Sequence, residues 1–277
     1  APSPATALYL SIFIQTHQSP LNEGNLSVFI LGILLLLCGI RRVSDFLYWI
    51  TPHSIKLGIC VGLALLISLE ALTHLKLVVA GKLTLITLGD VWTNQSLIAM
   101  VAFALIGLLL HYDVKAAYVV GLCVGSVLYW YVEDEFPTSI IAVGGDLSST
   151  LSFSGKDGLL NPTSWICGVE LLVISMVKLV GLSVGLTELA GLEKADGSGA
   201  PRRRWIYVAC GIGTLFSAGL GAGPVLLVVE SAAGVLAGAR TGLSSITCGC
   251  LFLGSYFLYP LFSAMPAAGV LCILCEA

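Results

Sequence analysis

Along most of this chain the apolar residues come in long unbroken runs, and the polar residues gather between them. About 20 apolar residues carry a helix across a bilayer. The pattern predicts spans at about Leu26–Ile40, Ile55–Leu72, Leu97–His111, Val114–Val132, Ser164–Thr187, Trp205–Leu220 and Leu243–Leu261. A short apolar piece at Val225–Ala237 precedes the last of these, and a further start lies at Ala267–Leu274. Alternation over about ten residues, the mark of a membrane barrel, is not the pattern here. The reading is an all-α polytopic membrane protein.

Composition supports this. Of all residues, 57% are hydrophobic and 10% charged, against about 25% charged in a soluble domain. Such a chain has too little polar surface to face water. In lipid the constraint falls instead on the backbone, whose N–H and C=O groups need internal partners. The nine cysteines lie almost entirely within the apolar runs and read as small buried hydrophobes. Cys272 and Cys275 form a C-x-x-C without a second pair to complete a zinc site. No metal or cofactor is expected. The histidines (His17, His53, His74, His111) fall near predicted ends or loops, and no nucleophile–base arrangement suggests an enzyme.

The net charge of −3 matters less than its distribution. Arg41, Arg42 and Lys56 follow the first span, and Arg202, Arg203 and Arg204 follow the fifth. Glu133, Asp134, Glu135 and Asp146 follow the fourth. Basic loops stay in the cytoplasm. The 41–56 and 188–204 loops are therefore placed inside and the 133–162 loop outside. Beside two spans, the arginine run is a topology signal rather than a nucleic-acid site. The chain begins at Ala1, not Met, and stops at Ala277 just after an apolar run starts, so a fragment is expected.

One apolar stretch is broken. Gly219, Gly221, Gly223 and Pro224 interrupt it, and Glu230 and Ser231 follow. Proline lacks the N–H that a continuous helix needs. Backbone freed at membrane depth is tolerated only against protein or around a polar cavity. A carboxylate in such a stretch costs about 2.5–3.5 kcal/mol at helix centre, less near a helix N-terminus. Discontinuous helices build the substrate sites of many secondary transporters. Glu230 is read as a substrate-facing carboxylate, with a water-facing residue on a re-entrant turn as the alternative.

Four stretches resemble one family. Glu230-Ser231-Ala232-Ala233-Gly234 with Gly238-Ala239-Arg240-Thr241-Gly242-Leu243 is similar to E-S-A-x-G-I-x-x-G-G-R-T-G-L of the adenine/guanine/hypoxanthine permeases. These are the AzgA-like branch of the nucleobase/ascorbate (xanthine/uracil permease) transporters. Thr51-Pro52-His53-Ser54-Ile55-Lys56-Leu57-Gly58 resembles the family's I-P-x-S-L-K-L-A-I. Leu85-Ile86-Thr87-Leu88-Gly89-Asp90 resembles T-L-V-x-L-G-D, and Val184-Gly185-Leu186-Thr187-Glu188-Leu189-Ala190-Gly191 resembles L-V-G-L-A-x-x-A-G.

The resemblance implies a fourteen-span fold of two inverted seven-span repeats, with core and gate domains. About spans 4 to 12 would be present here. Residues 1–132 would end the first repeat, mostly as gate helices. Residues 133–162 would form the extracytoplasmic loop, and 163–277 would start the second repeat, with the broken helix near 221–238. The third span, which supplies part of the purine site, would be missing. Glu230 matches the family's substrate-binding glutamate. Ala222, Gly223 and Pro224 would bring backbone to the ligand, with Ser231 beside it.

One motif departs. Where the family has F-V-D-L-F-D-T-x-G, this chain has Val173-Ile174-Ser175-Met176-Val177-Lys178-Leu179-Val180-Gly181. Ser175 and Lys178 occupy the two aspartate positions and would line the same cavity. Lys178 would pair with Glu230, or with Glu170 two turns away, or else snorkel to an interface. The expected activity is alternating-access transport of purine nucleobases, coupled to protons. Homodimerisation and a plasma-membrane address are further expectations. A non-transporting relative, acting as a membrane scaffold, is the alternative.

Overall fold

The computed structural model describes residues 6, 9–11, 13, 21–79, 81, 86–112, 114, 116–133, 136, 162–192, 204–229, 231–239 and 241–264. Its helices are α1 (Leu21–Cys38), α2 (Arg41–Ile50), α3 (His53–His74), α4 (Asn94–His111), α5 (Ala117–Glu133), α6 (Pro162–Leu189), α7 (Arg204–Gly219), α8 (Ser231–Leu236), α9 (Gly242–Ser255) and α10 (Tyr259–Ser263). Three of them, α3, α4 and α6, are long and apolar enough to cross a membrane alone. The Ala267–Leu274 start, most of the 133–162 loop, His17, the Cys272/Cys275 pair and Glu230 lie outside the described residues.

Three differences from the expected pattern have physical causes. The 41–56 loop contains α2, a ten-residue amphipathic helix turned 89° from the helix before it. Pro52 follows its end, and the residue before a proline is pushed out of helical conformation. The Leu243–Leu261 span breaks after Ser255 and resumes at Tyr259. Between α3 and α4 lies an antiparallel hairpin, β1 (Val78–Val79) and β2 (Thr87–Leu88), pairing Val78 with Leu88 and Val79 with Thr87. The Leu85–Asp90 motif stretch supplies its second strand.

The chain forms two compact units, residues 1–63 with 146–236 and residues 64–145 with 237–277. In the first, glycines let helices approach closely. A Cβ on Gly211 of α7 would sit 2.9 Å from Leu36 Cδ2 of α1. Gly32 of α1 and Gly39 just after it make room in the same way for Leu215 and Val208, and Gly168 of α6 for Ile30. Between lipid-embedded helices no hydrophobic effect drives association, so close van der Waals contact carries the packing. Gly181 and Gly185 of α6 face Ile59 and Cys60 of α3 in the same way, and His53 Nε2 pairs with Glu188 Oε1 at 3.0 Å. The core gathers Leu31, Leu35, Cys167, Leu171, Leu179, Tyr207, Cys210 and Leu226.

In the second unit, Ala71, Leu75, Ala99, Ala102 and Ile106 form the core. Gly121 of α5 receives Ile106 of α4, and Trp130 Nε1 donates to the Ala264 carbonyl at 2.7 Å. Helix α3 ends here in a Schellman closure. Leu77 N–H donates to Leu72 O at 3.1 Å and Lys76 N–H to Thr73 O at 3.0 Å. The position with positive φ in this closure is Lys76, at 56°. Left-handed backbone costs a non-glycine residue about 1–2 kcal/mol. Glycine gives back about 0.5–1 kcal/mol of that through unfolded-state entropy. Lys76→Gly is therefore expected to stabilise the protein by about 0.5–1 kcal/mol, read as a higher apparent melting temperature in detergent. An unchanged or lower temperature would contradict this.

Candidate functional site

Helix α6 is apolar outside and buries four polar residues, Ser164, Ser175, Lys178 and Ser183, among apolar ones on its inner face. Ile166, Val169, Val173 and Val177 are exposed at helical spacing, as lipid-facing residues should be. The opposite face buries Ser164, Leu171, Ser175, Lys178 and Leu182. Lys178 is only 3% exposed. Ser175 Oγ is fully buried and has no hydrogen-bond partner among the described residues. Ser175 and Lys178 are three apart on the helix, so they share a face. The alternative partner, Glu170, lies eight residues back, about 12 Å along a helix. Glu170 accepts a hydrogen bond from the Tyr9 hydroxyl.

The predicted break is present, and the structure shows what holds it. Helix α7 ends in a second Schellman closure, with Ala222 N–H donating to Ser217 O at 2.9 Å and Gly221 N–H to Ala218 O at 3.1 Å. Gly221, at φ 68°, takes the left-handed position. The chain then runs back in extended form along the helix it has just left. Ser217 Oγ donates to Gly223 O. Val225 N–H donates to Thr214 Oγ1 at 3.2 Å, and the same hydroxyl donates to Val225 O at 3.2 Å. One turn earlier, the Leu227 backbone meets the Cys210 thiol.

Spacing explains this arrangement. Cys210, Thr214 and Ser217 fall at i, i+4 and i+7, on one face of α7. Gly223, Val225 and Leu227 alternate along an extended strand, so they share one side. Pro224 lies between two bonded residues, is fully buried and has no N–H to satisfy. Gly213 leaves Val225 room, since a Cβ there would sit 3.2 Å from Val225 Cγ1. An extended segment in an apolar setting would otherwise carry orphaned backbone groups. Sequence reading singled out the glycines and the proline but passed over Thr214, Ser217 and Cys210. Their shared helical face just before a Gly-Pro break was the available signal.

The extended segment gives way to α8 through Ser231 N–H to Val228 O at 3.3 Å and Ala232 N–H to Val229 O at 2.8 Å. Helix α8 packs against α6, which carries Ser175 and Lys178. Leu226 of the segment and Leu179 of α6 lie in one buried cluster. The two sequence-predicted regions therefore belong to a single packed unit. Within it, Ala222 and Ser231 are exposed, Gly223 is half-buried and Pro224 is buried.

Apolar helices with lipid-facing valines, and side chains committed to holding one extended segment between them, define a polytopic membrane protein with a discontinuous helix. That architecture is the one secondary transporters use. Residues 2–273 match the Permease family of xanthine/uracil permeases, and the chain belongs to that family. It is similar to the adenine permease AdeP of Escherichia coli K12, at 28% identity over 96% of this chain and 60% of that protein. It is also similar to the adenine permease AdeQ of the same strain, at 27% over 93% and 56%. The guanine/hypoxanthine permease PbuO of Bacillus subtilis 168 is 24% identical over 94% and 62%. The chain thus spans a little over half the length of these relatives. Among solved structures, it is similar in fold to the transmembrane domain of a cyanobacterial bicarbonate transporter, BicA. The TM-score is 0.64 at 14% identity, covering 96% of this chain and 70% of that one.

Proposed function

We propose that the full-length protein is a secondary transporter of purine nucleobases, working by alternating access, coupled to protons and resident in the plasma membrane. The observation that carries this reading is the extended segment 222–229, held by Thr214 and Ser217 and followed by a helix packed on α6. The curated relatives, named as adenine and guanine/hypoxanthine permeases, support the substrate class. Glu230 would accept N–H bonds from a purine edge, and Ala222, Gly223, Pro224 and Ser231 would line the approach. Ser175 offers a hydroxyl that both donates and accepts.

Lys178 sharpens the choice of purine. An ammonium group donates and cannot accept. It suits a ring carbonyl better than the exocyclic amine of adenine. In cells lacking their own nucleobase permeases, the full-length gene is expected to confer purine uptake. Unlabelled guanine or hypoxanthine should compete more strongly than adenine. Absence of uptake with the protein at the cell surface would refute transport. Adenine outcompeting hypoxanthine would refute only the role given to Lys178.

A further inference from the structure

Helix α2 satisfies two requirements that neither water nor hydrocarbon satisfies alone. Its buried face carries Ser44 and Tyr48, with Lys56 Nζ 3.1 Å from the centre of the Tyr48 ring. Its outward face exposes Phe46 at 56%, Ile50 at 58% and Trp49 at 81%. A helix turned to water would not present that face. A helix immersed in hydrocarbon would not begin with Arg41 and Arg42. The plane between them accommodates both.

The geometry puts α2 in that plane. From Gly24 to Cys38 α1 carries no charge; these 15 residues cover about 22 Å and the whole 18-residue helix about 27 Å, against a hydrocarbon core of about 30 Å. With α1 standing across the membrane, the 89° turn between the two helices lays α2 along the surface. A second element marks the same level. Gly39, at the end of α1, packs on Val208, one turn into α7. Helix α7 begins with Arg204, whose guanidinium lies 5.2 Å from the Trp205 ring centre, and Trp205 is 55% exposed. Each helix therefore brings an arginine and an exposed tryptophan to one end of the α1–α7 pair. Tryptophan settles at headgroup depth, and arginine binds phosphate through two parallel N–H bonds.

We propose that α2, together with the first turn of α7, recognises anionic phospholipid headgroups of the cytoplasmic leaflet. Arg42 and Arg204 are the principal contacts. Arg41 contributes less, because the Asp45 carboxylate lies 4.0 Å from its Nε. Neither Arg42 nor Arg204 takes part in an ion pair among the described residues. The basic 41–56 and 188–204 stretches put this end in the cytoplasm, where anionic lipid attracts juxtamembrane cations.

The test is a titration of the detergent-purified full-length protein with phosphatidylglycerol, read as the rise in apparent melting temperature. Arg42→Gln is expected to raise the half-saturating lipid concentration about fivefold, and Arg42→Gln with Arg204→Gln about thirtyfold. Arg42→Lys, which keeps the charge but not the paired N–H bonds, should fall between the parent and Arg42→Gln. The proposal is overturned if phosphatidylcholine stabilises the parent equally, or if the double variant titrates like the parent. It is also overturned if inorganic phosphate alone reproduces the shift, since the site would then bind a free anion.

Discussion

Glu230→Ala in the full-length protein is expected to lower purine uptake about tenfold to hundredfold at equal surface amounts. A hydrogen bond to a charged partner contributes about 1.5–3 kcal/mol, and losing it from a bound purine would weaken binding by that factor. A carboxylate with two acceptor oxygens can meet a ring N–H and a neighbouring exocyclic N–H together. Alanine meets neither, while glutamine keeps one acceptor and should fall between. Initial rates of labelled hypoxanthine uptake at several concentrations would separate binding from turnover. Uptake equal to the parent would remove Glu230 from the site and leave the fold untouched.

Thr214→Val is the second large effect, and it acts through position rather than contact. One hydroxyl satisfies both backbone groups of Val225. Valine has nearly the same shape but cannot hydrogen-bond, so an N–H and a C=O would be orphaned in an apolar setting. The cost is about 1–3 kcal/mol of stability. Displacing the segment by about 1 Å would lower transport tenfold or more. Thr214→Ser keeps the hydroxyl and is expected to retain most of both. If serine fails and valine does not, packing of the methyl and not the hydroxyl holds the segment.

The fold was legible because lipid leaves the backbone few choices. An apolar run such as 164–187 must form a helix, and α6 covers it at Pro162–Leu189. The break was legible for the converse reason: Gly221, Gly223 and Pro224 are residues a buried helix cannot easily continue through. What held the break was not legible. Thr214 and Ser217 are ordinary residues in an apolar helix until the chain folds back and presents backbone to them.

Helix α2 was missed because its charges, Arg41, Arg42 and Asp45, dominate a ten-residue window. The recurrence of Val43, Phe46, Leu47 and Ile50 was its signature. On α6 the sequence identified Ser175 and Lys178, and their burial follows from the valines opposite them. The hairpin was hidden because its strands are two residues each, too short to show alternation.

The pairing of α7 with its own extended continuation joins two rulers of different pitch. One helical turn advances about 5.4 Å, while two strand residues advance about 6.6 Å. Each successive rung between them slips by roughly 1.2 Å. Ser217 with Gly223, Thr214 with Val225 and Cys210 with Leu227 make three rungs. By a fourth, the accumulated slip would exceed what a hydrogen bond tolerates. The chain turns at Val229, two residues past the last rung, and starts a new helix. The length of the break matches this mismatch: the backbone becomes helical again where the two pitches run out of register.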